Sequence, residues 1–356
     1  MKTSMCGRAT IVGAWIWLGA PASAQVVYSQ NFETNTTASW VVHVGPVAAP
    51  TDGHTDFFFD YSTVGIPTAP SGAGTHGLKL QANLTSAVFG GLSVSPVGLN
   101  VASGDFRLRF DWWANVNGPF PTSGNTSTNL STFGIGTSGT LVQFPGSADC
   151  VWFAATGDGG SGSDYRAYSS AAPTSYPGGN AVYISSSINN TDPYYAGFGG
   201  VAAPAAQVLL FPQQTGLTAV GTPAMAWHRV EIAKADGVVT WTVDNLLIAA
   251  VPIAGLTIAG GNICFGHADV NSSVSTNANA ASLLFTLIDN VVVERTGPCN
   301  AADLAPPFGV FDFSDVIAYL TAFGAMDPDA DLDLPIGVWD FSDVIAFLTT
   351  FAGGCP

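Results

Sequence analysis

The sequence predicts a mainly β protein, one large β-sandwich followed by a small α-helical tandem repeat. Three observations carry this. Residues 25 to about 295 are short runs rich in Val, Phe, Trp and Thr, separated by clusters of Gly, Asn, Ser and Pro, with no long helical stripe. Two junctions between runs, Asp236-Gly237 and Asp244-Asn245, have the chemistry of tight hairpin turns. From Ala302 onward one unit is written twice, 28 residues apart, with helical spacing in its second half.

Residues 1–24 read as a secretory signal. Lys2 and Arg8 supply the positive start, Ala9 to Ala20 the apolar stretch, and Ala22-Ser23-Ala24 the cleavage site. The apolar stretch is too short to span a bilayer, so a secreted protein without membrane insertion is expected. With 25 acidic residues against 9 basic ones the chain carries a formal charge of −16, which excludes nucleic acid and anionic membrane as partners. Beyond Cys6 four cysteines remain, an even number that reads as disulfides in an oxidising compartment. Cys299 and Cys355 bracket the tail while Cys150 and Cys264 lie in the body, so the pairs Cys299–Cys355 and Cys150–Cys264 are expected. None of them has the close spacing of zinc ligands.

The body, 25–296, has its clearest strands at Phe106–Trp113, Val151–Ala155, Trp227–Ala233, Val238–Val243, Leu246–Val251, Asn262–Gly266 and Leu283–Val293. In FRLRFDWW the alternation of Phe106, Leu108 and Phe110 with Arg107, Arg109 and Asp111 is that of a half-buried strand. Of the adjacent Trp112 and Trp113, one is expected to face the core and the other solvent. Between Gly157 and Gly200 runs a long segment of Gly, Ser and Asn carrying Tyr165, Arg166, Tyr168, Tyr176, Tyr183, Tyr194 and Tyr195. Long loops on a rigid sandwich carry binding surfaces, and Tyr offers a flat apolar face with a hydroxyl. These residues are therefore the expected ligand platform; packing of the loop onto the sheet is the alternative.

The tail, 299–356, reads ADLAPPFGVFDFSDVIAYLTAFG and then ADLDLPIGVWDFSDVIAFLTTFA. Each copy is an acidic turn running into an amphipathic helix. Val316, Ile317, Leu320 and Phe323, with Val344, Ile345, Leu348 and Phe351 in the second copy, form the expected buried stripes. Ser314 and Ser342 are the expected N-caps, and Gly324 the first helix stop. From Asn300 onward there are nine Asp and no Lys or Arg. Carboxylates this crowded repel one another unless a cation sits among them, and oxygen ligands around a Gly turn suit Ca²⁺. Asp331, Asp333, Asp340 and Asp343 form the better-supplied loop, Asp303, Asp312 and Asp315 the poorer one. The paired DFSDVIA segments and the closing Gly354-Cys355-Pro356 resemble the dockerin module, in its planctomycete-type form ending in Gly-Cys. That resemblance implies calcium in the loops and a cohesin-like or cell-surface protein as the tail's partner. The first loop departs from the dockerin pattern, with Leu304, Pro306 and Phe308 at early ligand positions.

In the body, WHRVEIAKADGVVTWTVDNLLIA and LFTLIDNVVVE resemble the concanavalin A-like, laminin-G-type jelly rolls, and YSQNFET resembles their first strand. The resemblance implies a jelly-roll sandwich, with Glu33 and Asp289 as candidates for a shared structural metal. It does not bring catalytic residues with it. The glucanases of this fold carry E-x-D-x-x-E, whereas Glu33, Glu231 and Glu294 are the only glutamates here and none has such a neighbour. Asp158 and Asp164 are a remaining carboxylate pair. The five histidines fit no lyase motif, and neither G-x-S-x-G nor H-E-x-x-H occurs. The function expected is a secreted, non-catalytic protein that binds extracellular polysaccharide through its body and is attached through its tail. The alternatives are a jelly-roll hydrolase or lyase and a purely structural surface protein.

Overall fold

The computed structural model describes residues 25–46, 53–85, 87–101, 104–121, 128–170, 174–256, 258–306 and 308–354. The expected signal segment lies outside them. The strands are β1 Gln25–Gln30, β2 Trp40–Pro46, β3 His54–Asp60, β4 His76–Gln81, β5 Gly90–Pro96, β6 Phe106–Asn115 and β7 Asn129–Thr137. They continue as β8 Val151–Thr156, β9 Tyr165–Tyr168, β10 Trp227–Ala235, β11 Val238–Val243, β12 Leu246–Pro252, β13 Asn262–Asp269 and β14 Phe285–Arg295. Helices α1 Ala205–Leu210 and α2 Ala280–Leu283 are short; α3 Phe313–Gly324 and α4 Phe341–Gly353 form the tail.

Two antiparallel sheets make the sandwich. One has the order β12-β11-β10-β6-β14-β4-β3, with β1 also pairing β14; the other has β2-β5-β13-β7-β8-β9. The turn chemistry read from sequence holds: Asp236, Gly237, Asp244 and Asn245 all have positive φ, as two-residue hairpin turns require, and they join β10 to β11 and β11 to β12. Leu108, Phe110 and Trp112 of β6, with Trp241 of β11, face Phe133, Phe153 and Phe265 of the other sheet in the core.

Trp113 does not face solvent. It is buried in a second cluster on the outer side of the larger sheet, with Tyr61, Met225, Phe285 and Leu287. Segments before and after α1 and the turn after β3 fold over that half of the sheet and roof it. The other half, along β6, β10 and β11, stays open.

The tail is a helical pair whose first loop lies against the sandwich. Gly309 has φ +84°, and a Cβ there would collide with Gln25 and Arg295 of the paired strands β1 and β14. Among the described residues no helix is long and apolar enough to cross a membrane.

Candidate functional site

The tyrosine segment is architecture. Tyr165, Tyr168, Tyr183 and Tyr195 are buried, and Tyr176 and Tyr194 are half-buried against the same core. Their hydroxyls are spent internally: Tyr165 donates to Gly221 O at 2.7 Å, Tyr183 to Tyr176 O at 2.8 Å, Tyr194 to Leu247 O at 2.6 Å and Tyr195 to Ser187 O at 2.7 Å. Tyr165 and Tyr195 stack on each other at 4.1 Å. Arg166 donates to Ser163 O and Ser161 Oγ, tying down the neighbouring turn. The expected ligand platform is corrected accordingly: a Gly-Ser segment without its own secondary structure needs large buried side chains to fix it, and these tyrosines serve that need. Asp164 is likewise buried, bound by Thr156 Oγ1 at 2.6 Å and Asn190 N at 3.0 Å, with its carboxyl pushed up by burial. It is not one half of an open catalytic pair.

The outer face of the larger sheet holds a carboxylate group that sequence reading caught only in part. Asp289 on β14 pairs in register with Asp111 on β6. Asp111 accepts from Ser71 N at 2.9 Å, Ser71 Oγ at 2.8 Å and Asn290 Nδ2 at 2.9 Å. Asp289 accepts from Tyr61 Oη at 3.1 Å and Asn290 N at 2.6 Å. Burial pushes its carboxyl up to about 7, and the charges of Asp111 and Glu33 add to this. Glu33 accepts from His76 N at 3.0 Å and contacts His76 Nδ1 at 3.2 Å. Glu33 and Asp289 do come to the same side of the sandwich, but protein donors hold each of them. Among the described residues no three His, Cys, Asp or Glu side chains converge as metal ligands, so the shared metal does not fit.

Next to this group lies an open groove of about 350 Å³ along β6, β10, β11 and β14. Its walls include Arg109, Arg229, Glu231, Thr242, Asn245 and Asn290. Alternation places Arg107, Arg109 and Asp111 on this face, opposite the core-facing Leu108 and Phe110. Glu294, itself nearly buried, accepts from Arg107 Nε at 2.6 Å and from Arg109 Nη2, and fixes both side chains. Arg229 makes no ion pair among the described residues; its guanidinium reaches Pro70 O at 3.5 Å. The signal for this site was present in FRLRFDWW and WHRV as charged residues at outward-facing strand positions.

In the tail the two loops are built alike. Asp315 accepts from Leu304 N at 2.8 Å, Ala305 N at 2.9 Å and Asp312 N at 3.0 Å. Asp343, 28 residues on, accepts from Leu332 N at 2.7 Å, Asp333 N at 2.9 Å and Asp340 N at 2.9 Å. Asp303 accepts from Gly309 N, and Asp331 from Gly337 N. Asp312 and Asp340 cap the helices through capping boxes with Asp315 and Asp343. The N-caps therefore fall two residues before the expected Ser314 and Ser342, which instead bind the capping carboxylates.

Calcium does not fit these donors as they stand. Asp315 and Asp343 turn both oxygens to backbone N–H groups, Asp312 and Asp340 serve the helix starts, and Asp333 is exposed. One buried carboxylate oxygen per loop is left without a partner, Oδ1 of Asp303 and Oδ1 of Asp331, where Ca²⁺ takes six to eight oxygens. Backbone amides do the ordering assigned to the ion.

The helix faces also differ from expectation. Tyr319 and Phe347 are buried, with Val316, Phe323, Val344 and Phe351 packed around them. Ile317, Leu320, Ile345 and Leu348, expected inside, are 52–57% exposed. Asp315 and Asp343 set this rotation, because each must point back into its loop.

Cys150 and Cys264 are free, buried thiols, and Cys150 donates to Gln143 Oε1 at 3.1 Å. The expected bond between them is not formed. Strand β7 runs between β13 and β8, so their backbones stand two strand spacings apart, about 10 Å, wider than a disulfide spans. Cys299 is disulfide-bonded; Cys355, its expected partner, lies outside the described residues.

No protein-family model and no curated protein matches the chain. Solved structures do resemble it. A Bacillus subtilis protein of unknown function with a galectin-like fold shares 10% identity, covering 77% of this chain and 97% of that one, with a TM-score of 0.41. The Emp46p carbohydrate recognition domain in its potassium-bound form shares 10%, covering 75% and 95%, with a TM-score of 0.37. A glycoside hydrolase family 16 endo-glucanase from Bacteroides ovatus shares 12%, covering 75% and 100%, with a TM-score of 0.40.

Proposed function

We propose that this chain is a secreted, non-catalytic carbohydrate-binding protein, with the sandwich holding a glycan and the tail attaching it to a partner. The observation that carries the reading is the open groove on the larger sheet. Guanidinium, amide and hydroxyl groups converge there on a rigid strand surface, the donor set that sugar hydroxyls and ring oxygens take. Its lining includes one carboxylate, Glu231, whereas glycoside hydrolysis uses two across the bond. Asp111 and Asp289 lie beneath Ser71, Tyr61 and Asn290, which occupy their oxygens.

The test is a titration of the full chain with soluble polysaccharides, together with an assay for new reducing ends and unsaturated sugars. Saturable binding without product supports the reading. Product release would replace it with the hydrolase or lyase alternative, and absence of binding to any polymer would leave a structural protein.

The tail supports attachment. Phe313, Ile317 and Leu320, and their counterparts Phe341, Ile345 and Leu348, form duplicated exposed apolar faces on a module with no basic residue. This suits a protein partner with an apolar centre and a Lys/Arg rim, the cohesin-like or cell-surface partner of the dockerin resemblance. Ile317→Glu with Ile345→Glu should move the protein from the producing cell's surface into the medium and leave glycan binding unchanged. Retention at the surface would remove this role from the helices.

A further inference from the structure

We infer that the groove on the larger sheet selects carboxylate-bearing polysaccharides, with Arg109 and Arg229 as the residues that hold the sugar carboxylate. The inference rests on the reading of the sandwich as a glycan-binding module and names the class of glycan.

The chain has few cations to place. Outside residues 1–24 it carries seven Lys and Arg against 25 acidic residues, yet three of the seven, Arg107, Arg109 and Arg229, share the outer face of two adjacent strands. Glu294, Glu231 and Asp111 are the carboxylates beside them on that face. Glu294 bridges Arg107 and Arg109, and Glu231 lies 3.8 Å from Arg107, so Arg107 is enclosed by acids. Arg109 gives one guanidinium nitrogen to Glu294 and keeps its other donors, with its side chain 46% exposed. Arg229 has no carboxylate within ion-pair distance among the described residues. Asp111, opposite Arg229 in register, gives its oxygens to Ser71 and Asn290 and does not line the groove, whose charged lining is two guanidinium groups, Arg109 and Arg229, and one carboxylate, Glu231.

Their spacing suits one anion. Arg229 pairs with Asp111, and Arg109 lies two residues along β6 from Asp111. The two arginines are thus diagonal neighbours on an antiparallel ladder, with backbones about 7–8 Å apart. Long side chains leaning over that gap converge on a planar carboxylate, which the guanidinium fork matches. Asn245, Asn290 and Thr242 around them supply donors and acceptors for the neighbouring hydroxyls. A strongly acidic surface elsewhere repels a polyanion, so binding of such a polymer is confined to this face.

The test uses the full chain with polygalacturonate and with the same polymer fully methyl-esterified, which keeps the sugar and removes the charge. The acid polymer is expected to bind, at least tenfold more weakly once salt is raised from 50 to 500 mM, and the ester not to bind. Arg109→Gln and Arg229→Gln should each weaken binding tenfold or more. Equal binding of acid and ester, or of the Arg variants and the parent, would overturn the inference while leaving the glycan-module reading intact. Equal competition by polyaspartate or dextran sulfate would also overturn it, since the groove would then take polyanions at large. Failure of all polysaccharides, charged and neutral, would overturn the module reading and this inference together. Arg109→Lys separates fork geometry from charge: it should recover less than half of the lost binding free energy.

Discussion

Tyr319 stacks face to face on Phe347, its own counterpart one repeat later, with ring centres 4.1 Å apart and planes 10° from parallel. A residue that packs on its own equivalent implies a local two-fold axis between the two rings. Neither short helix can bury its apolar side alone, and this pair is where each completes the other. The surrounding contacts agree with that symmetry, since Val316 and Val344 and Ala302 and Ala330 enter the same cluster from the two copies.

The symmetry breaks at one atom, and this gives the first prediction. The Tyr319 hydroxyl is buried and has no hydrogen-bond partner among the described residues, whereas Phe347 has no such group to satisfy. Tyr319→Phe should stabilise the tail by about 1 kcal/mol, because the change removes an unpaired polar group and keeps the ring. Phe347→Ala should cost about 3–5 kcal/mol and release both helices. Limited proteolysis followed by mass spectrometry reads both; a Tyr319→Phe variant cut faster than the parent would show that the hydroxyl has found a partner.

The loops yield the second prediction. With Asp343 clamping three backbone amides, EDTA and millimolar calcium should each leave the protease resistance of the tail unchanged. Asp343→Ala should expose the second repeat, and Asp315→Ala the first. The backbone N–H of Asp340, first among its amide donors, holds the Asp343 carboxyl below the usual carboxylate range. The stability it contributes is present at neutral pH and is lost as pH falls through that lowered value, the sign for a depressed carboxyl. A calcium-dependent gain in helix by circular dichroism would defeat the amide-clamp account and restore the ion.

Much of this was legible in the chain. The hairpins at Asp236-Gly237 and Asp244-Asn245 follow from residues that tolerate positive φ, and the alternation in FRLRFDWW placed its arginines outside correctly. The 28-residue repeat carried over into matched hydrogen bonds. What sequence did not disclose were the contacts that decide orientation. Periodicity admits several rotations of a short apolar helix, and only Asp315 binding Leu304 and Ala305 turns Ile317 outward and Tyr319 inward. The groove was hidden for a related reason. Which half of an outer sheet face is roofed depends on segments from residues 61–75 and 200–225 crossing it, and neither has a pattern of its own. Strands β2, β3, β5 and β7 escaped notice because Gly, Ser or Asp interrupts their apolar residues.

The buried tyrosines give the third prediction. Tyr195→Ala should destabilise the sandwich by about 3–5 kcal/mol, as loss of a fully buried aromatic does, and Tyr165→Ala similarly. Neither should alter glycan affinity in the fraction that stays folded. Urea denaturation followed by Trp fluorescence measures the first effect and titration of the folded protein the second. A Tyr195→Ala variant with parental stability and abolished binding would return the segment to the role of ligand platform.

The last prediction concerns Asp289, whose folded carboxyl titrates near 7 against 3.8 for the free side chain. Below about pH 4 both folded and unfolded chains hold this proton, and the group has no effect on stability. As pH rises from about 4 to about 7 the unfolded chain releases the proton while the folded chain retains it, so stability falls. At pH 8 the carboxylate is charged, buried and facing Asp111, at a cost of up to about 4 kcal/mol relative to an unshifted group. Asp289→Asn keeps one oxygen for the Asn290 amide, turns an N–H donor toward the Tyr61 hydroxyl, which can donate to Gly74 O instead, and carries no charge. The variant should therefore be more stable than the parent at pH 8, with the advantage shrinking toward zero by pH 4.5. Comparing the two proteins at each pH cancels the contributions of Asp164 and Asp303, whose carboxyls burial also pushes up. Urea midpoints at pH 4.5, 6 and 8 decide it. A stability difference that does not change with pH would mean that Asp289 is ionised across the range, held by a cation or by donors stronger than Tyr61 and the Asn290 amide.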